Sequence, residues 1–203
     1  MAWWIWVLIG LGVVVLFFVV AASFGTGRNI VRFGLATTQQ NDLLQVGTTA
    51  RIEGTIIATD EVLQGPATGR DVVAYRVTCR LGDVGDRGSE VVTVDERAVD
   101  FALDDGHGRV LVRATDPTLL LEPEDEMRFP TDDAPDWVVE LAERAGVVRS
   151  WGGAYYVREL ALEPGERAGA MGVVAAGPVS WPFELVGTDD QELFITDQPS
   201  MLK

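Results

Sequence analysis

The chain has 203 residues, of which 31 are acidic and 16 basic, for a formal net charge of −15. That balance excludes a nucleic-acid binder, because displacing phosphate counterions takes basic patches. A single cysteine and a single histidine exclude an internal disulfide framework, a multi-cysteine zinc site and paired-histidine chemistry.

The first element is an apolar segment. Residues 3–22 form twenty positions without a charge, and a helix of that length spans about 30 Å, the hydrocarbon thickness of a bilayer. Trp3, Trp4 and Trp6 cluster at one end, where indole rings favour the headgroup level. A cleaved signal peptide ending near Ala21-Ala22-Ser23 is the rival reading, but Met1-Ala2 supplies no basic n-region. Arg28, Arg32 and Arg51 follow the segment and no Lys or Arg precedes it. The positive-inside rule therefore predicts a single span in the cell membrane with the larger part in the cytoplasm. Residues 1–23 are read as the anchor, 24–47 as a juxtamembrane connector and 48–203 as the folded domain. The acidic, Lys-poor composition fits either solvation in high salt or an Arg-favouring genome.

From Thr48 the pattern has period two. Ala50, Ile52, Gly54 and Ile56 alternate with Thr49, Arg51, Glu53 and Thr55, which predicts a half-buried strand. Val73, Tyr75, Val77 and Cys79 predict a second, and Glu90 to Val94 a short third. Val99, Phe101 and Leu103, then Arg109 to Ala114, predict a hairpin around Asp104-Asp105-Gly106-His107-Gly108. The acidic, proline-containing segment from Glu122 to Asp136 reads as a solvated loop. Val138, Val139, Leu141, Ala142 and Ala145 have helical spacing. Pro135 falls in the first turn, Asp133 is the expected cap and Gly146 the stop. Strands resume at Tyr155 to Leu162, Ala168 to Ala175 and Glu192 to Thr196, with a turn at Pro164-Gly165. The predicted class is mainly β, an antiparallel barrel or sandwich with one helix (α+β), preceded by a transmembrane helix.

Four blocks carry a family resemblance. The first is Leu63-Gln64-Gly65-Pro66-Ala67-Thr68-Gly69 leading to a strand with Tyr75. The second is the hairpin from Phe101 to Val112 with Asp104 and Gly108 at its turn. The third is Tyr156-Val157-Arg158-Glu159, followed by Pro164-Gly165-Glu166. The fourth is Leu193 to Asp197. In this order the blocks resemble the GIDE-type domain of membrane-embedded E3 ubiquitin ligases and their prokaryotic relatives. The resemblance implies a β-rich domain beside a membrane, and it marks Leu63, Pro66, Gly69, Tyr75, Asp104, Gly108, Tyr156, Glu159, Pro164 and Gly165 as family-motif positions. In the mitochondrial relatives the domain faces outward, against the arginine rule. The ligases also carry a zinc-binding RING, for which Cys79 and His107 are the only Cys and His here.

No constellation for catalysis stands out. His107, beside Asp104 and Asp105, reads as a metal ligand or general base on one view and as a polar turn tip on the other, and the tip is favoured. Cys79 shares a strand face with Val77 and reads as a buried, inert thiol. Ser89, Ser150 and Ser180 lie in no nucleophile elbow. Neither a dinucleotide fingerprint nor a calcium loop is present, so no cofactor and no metal are expected. Glu159 reads as a partly buried carboxylate paired with Arg76 or another arginine. The turn Gly65 to Gly69 reads as a binding lip or as plain turn geometry. The expected role is a scaffold or interaction module at the membrane surface, in contact with the bilayer through residues 3–22 and with a membrane or membrane-surface protein. A RING-less ligase relative working with a separate catalytic subunit and a small-ligand-binding barrel are the alternatives.

Overall fold

The structure is a computed structural model that describes residues 38–82, 91–122, 126–147 and 153–202. The apolar run 3–22 lies outside these residues, as do Trp3, Trp4, Trp6, Arg28, Arg32, Ser89 and Ser150. Among the described residues no helix is long and apolar enough to cross a membrane, a statement that does not extend to membrane-crossing strands.

A single 3-10 turn, Asn41–Leu43, opens the described chain. Strands β1 (Thr49–Ala58), β2 (Leu63–Gln64), β3 (Asp71–Val72), β4 (Ala74–Gly82), β5 (Val92–Ala98), β6 (Phe101–Asp104), β7 (Arg109–Val112), β8 (Thr118–Leu120) and β9 (Met127–Pro130) follow. Then come helix α1 (Asp136–Arg144) and strands β10 (Ala154–Leu162), β11 (Arg167–Ala176), β12 (Phe183–Val186) and β13 (Phe194–Thr196).

Five of these strands close a barrel in the order β1-β6-β7-β12-β11 and back to β1. The long β1 makes closure possible, because it pairs with β11 through Thr49–Thr55 and with β6 through Thr55–Ala58. All neighbours are antiparallel except β7 and β12. Counting barrel strands along the chain, the order is 1-2-3-5-4-1 with strands 3 and 5 parallel. This is the topology of an OB-fold barrel. Alternation supplies the interior: Ala50, Ile52, Ile56, Phe101, Leu103, Val110 and Val112 all point into one core. Each large aliphatic or aromatic side chain so buried contributes about 1.5–3 kcal/mol.

The barrel's first and third connections are both enlarged, and together they build a second sheet. β4 and β5 come from the first, β9 and β10 from the third, in the order β5-β4-β10-β9. β4 and β10 pair over nine residues, from Ala74↔Leu162 to Gly82↔Ala154. Val138, Leu141 and Ala142 of α1 pack on Tyr75, Val77, Cys79, Tyr155 and Val157 to form a separate core. Trp137 meets Phe129 edge to face at 5.5 Å. Ala74, Leu160 and Leu162, at the far ends of β4 and β10, belong to the barrel core instead, so this sheet is anchored in the barrel.

Several expectations need correction. The outer face of β1 is not solvated, since Arg51 and Glu53 are both buried. The acidic segment before α1 is not all loop, because it contributes β9, which pairs with β10. β8 and β12 had no local signal. Asp133 does not cap α1. Its N–H bonds to the Pro130 carbonyl, and Pro135 occupies the cap position without a side-chain bond. Gly146 does end the helix, at φ +67°. Part of the expected connector packs on the barrel: the Gln39 N–H donates to the Arg51 carbonyl at 2.9 Å, and Asn41 is buried.

Candidate functional site

Two of the family-like blocks meet at Glu159. Residues 65–69 form one helical turn, closed by a Gly69 N–H to Gly65 carbonyl bond of 2.8 Å with Gly69 at φ +69°. The first N–H groups of such a turn have no internal partner and favour an anion. Glu159 supplies it from β10. Its Oε2 accepts from the Ala67 N–H at 2.6 Å and the Thr68 N–H at 3.3 Å, and its Oε1 from the Thr68 hydroxyl at 2.5 Å. A Cβ on Gly65 would collide with Glu159 Oε1, so only glycine leaves room for the carboxylate. Glu159 is therefore fully buried, and its partner is the turn rather than an arginine. Arg76 bonds instead to Glu96 and to the Leu119 carbonyl.

The 104–108 turn is organised by its own acids. Asp105 Oδ1 accepts from the His107 and Gly108 N–H groups at 2.8 and 2.9 Å, and its Oδ2 accepts from the Asn41 N–H at 2.8 Å. The Asn41 amide donates to the Leu103 and Gly108 carbonyls, pinning the 3-10 turn to this hairpin. Hydrogen bonding to Arg109, helped by the Gly106 N–H, holds the Asp104 carboxyl below its ordinary value. His107 projects from the tip with its side chain more than half exposed. A cleft of about 630 Å³ opens beside it, bordered by Glu53, Asp104, Asp105 and Arg167. Its carboxylates are engaged within the protein. Glu53 holds Arg51 at 2.6 Å, the Thr38 hydroxyl at 2.9 Å and Arg167 at 3.6 Å, and Arg51 also reaches the Met201 carbonyl.

The remaining motif positions act as separate fasteners. The Tyr75 hydroxyl bonds Asp95 at 3.0 Å, and burial followed by that bond raises its pKa. Tyr156 stacks under Arg80 at 4.0 Å. Leu63 pairs with Val72 across the β2–β3 ribbon, and Pro66 lies in the turn that Glu159 caps. The Pro164-Gly165 turn is tied to β1 by Gly165 N–H to Ile56 carbonyl and Ile56 N–H to Glu166 carbonyl bonds. Cys79 is wholly buried, and desolvation pushes its thiol up to about 11, so it is a poor nucleophile. Cys79 belongs to the second core and His107 to the barrel hairpin, so the structure keeps them apart. Among the described residues no cluster of three His, Cys, Asp or Glu could hold a metal.

A groove that sequence reasoning missed runs along the barrel. Two open clefts of about 600 and 590 Å³ adjoin, sharing Glu61, Ala98 and Val99. One reaches Asp116 and Leu119; the other reaches Leu111 on β7, Arg113, Pro178 and Trp181. The 177–182 loop is a tight turn, closed by a Trp181 N–H to Pro178 carbonyl bond of 2.8 Å, with Val179 fully exposed at its corner. Asp100 sets the floor. It accepts from Arg113 at 2.8 Å and from the Ala114 N–H at 3.0 Å, while its carbonyl takes the Thr59 hydroxyl at 2.7 Å. Glu184 takes the other side of Arg113 at 2.7 Å, and the two carboxylates raise that guanidinium's pKa. In sequence the one hint was Trp181 between two prolines, an aromatic outside the apolar segment.

No family model, no curated protein and no solved structure matches the chain.

Proposed function

We propose that the chain is a membrane-anchored interaction module. In this reading residues 3–22 hold it in the bilayer, and it binds a membrane or membrane-surface protein through the groove between β7, residues 59–61 and the 177–182 loop. The observation that carries the reading is the position of that groove. It lies between loops 1–2 and 4–5 and reaches barrel strand 3 at Leu111, within the region where OB-fold barrels take their ligands. The barrel interior is filled by side chains such as Ile52, Phe101 and Ile195, so ligands meet the outside of the barrel. The GIDE-like blocks agree with a place beside a membrane. Arg28 and Arg32 favour the cytoplasmic side. Arg51, buried against Glu53, adds nothing to that asymmetry.

The test is photo-crosslinking of the full chain in its own membranes, with a photoreactive residue at Val179, exposed on the 177–182 loop, or, as control, at the exposed Arg128 on β9. Adducts to a defined protein from position 179, and none from 128, are expected. Equal adducts from both positions, or none from 179, would overturn the groove as the binding face. Removing residues 1–23 should release the chain from alkali-washed membranes, and a fragment that still pellets would sink the anchor.

A further inference from the structure

The occupant's chemistry follows from which charges in the groove are already spent; the inference rests on the binding face proposed above. Arg113 is committed to Asp100 and Glu184, and Arg97 faces Asp95 at 3.3 Å. The cationic groups of the groove are thus neutralised from within. Asp60, Glu61 and Asp116, by contrast, are exposed and make no hydrogen bond or ion pair among the described residues. Asp60 and Glu61 border the same cleft as Trp181. Unspent negative charge in the cleft that Trp181 lines disfavours anions, and the net charge of −15 reinforces that repulsion.

We infer that the groove takes a basic peptide segment of a partner protein, with an Arg or Lys seated against Trp181 and its charge met by Asp60 and Glu61. An indole attracts a cation over its face, and a carboxylate beside it supplies a charge-assisted hydrogen bond. The two adjoining clefts give an extended chain room for a second basic side chain toward Asp116. An anionic lipid surface, an acidic peptide and a nucleic acid are all repelled by the same groups. A neutral saccharide would stack on Trp181 without calling on the carboxylates.

The probe is a fluorescent dodecapeptide alternating Arg with Gly and Ala, titrated by anisotropy into the full chain in neutral detergent. A counterpart carrying Glu in place of Arg is the comparison. The Arg peptide is expected to bind, more tightly at low salt, and the Glu peptide is not. Trp181→Ala, and separately the double change Asp60→Asn/Glu61→Gln, should each weaken binding at least tenfold. The double change touches exposed, unbonded side chains, so the fold survives it. Glu140→Gln/Glu143→Gln, an equal loss of charge on the exposed side of α1, should leave affinity unchanged. An Arg peptide that binds no better than the Glu peptide overturns the inference, as does an α1 variant that loses as much as the groove variant. Should crosslinking at position 179 persist while the Arg peptide fails, the groove stands as the binding face and only its cationic specificity falls.

Discussion

Two turns of this protein look alike in sequence and are held by opposite means. Residues 65–69 and 104–108 each combine glycines with small or acidic residues between apolar runs. The first is fastened from a distance, by a carboxylate more than ninety positions away on β10, buried to 1 % exposure. The second is fastened by its own Asp104 and Asp105, at the surface. The accepting carboxylate of the first turn is sheltered from water, and the bonds of the second are open to it. The same number of hydrogen bonds should therefore carry different weight.

The sharpest way to break this contrast is Glu159→Ala. It takes the acceptor from the Ala67 and Thr68 N–H groups and empties the buried space that the Glu159 side chain fills. A loss of about 3 kcal/mol is expected, lowering the melting temperature by about 10 °C in calorimetry. Glu159→Gln keeps one acceptor oxygen and should fall between the two. If both variants melted within a degree of the parent, the turn would not depend on the carboxylate, and the difference between the two turns would vanish.

Asp105→Ala comes next and divides the second turn into its local and distant parts. Water can replace Asp105 at the His107 and Gly108 N–H groups. The Asn41 N–H belongs to a buried residue that loses its acceptor. About 1–2 kcal/mol is expected, with faster amide exchange at Asn41 than at Leu111 on the same barrel. Equal acceleration at both positions would mean that the 3-10 turn is held by packing alone.

Period-two patterning revealed the parts of the fold whose partners sit nearby. The inward faces of β1 and β6, the β6–β7 hairpin and the buried side of α1 all follow from spacing. What stayed hidden depends on residues far apart in the chain. β12 is a four-residue strand that pairs antiparallel with the nearby β11 and in parallel with β7, about seventy positions earlier, and no local pattern encodes the second pairing. Arg51 and Glu53 look like the solvated side of an alternating strand. They are covered by Thr38 and Met201 from opposite ends of the described chain. Glu159 suggested an arginine partner because buried charges are usually paired with charges; a remote turn's free N–H groups leave no mark beside it. The groove has the same character, with Asp60, Asp100, Arg113 and Trp181 drawn from four separate stretches.

The smallest expected effect is at His107. Its backbone N–H contributes the bond to Asp105, and its ring nitrogen stands 4.0 Å from that carboxylate, at the limit of an ion pair, with the side chain largely in water. Replacing the ring leaves the backbone bond in place, so His107→Ala should change stability by less than about 0.5 kcal/mol. The peptide affinity of the groove should not change either, because His107 lines the other cleft. Melting curves of parent and variant are the check. A loss above about 1 kcal/mol would mean that the His107 side chain pairs with Asp105 strongly enough to stabilise the tip. The second turn would then carry a tertiary-strength electrostatic contact of its own, which narrows its contrast with the turn around Glu159.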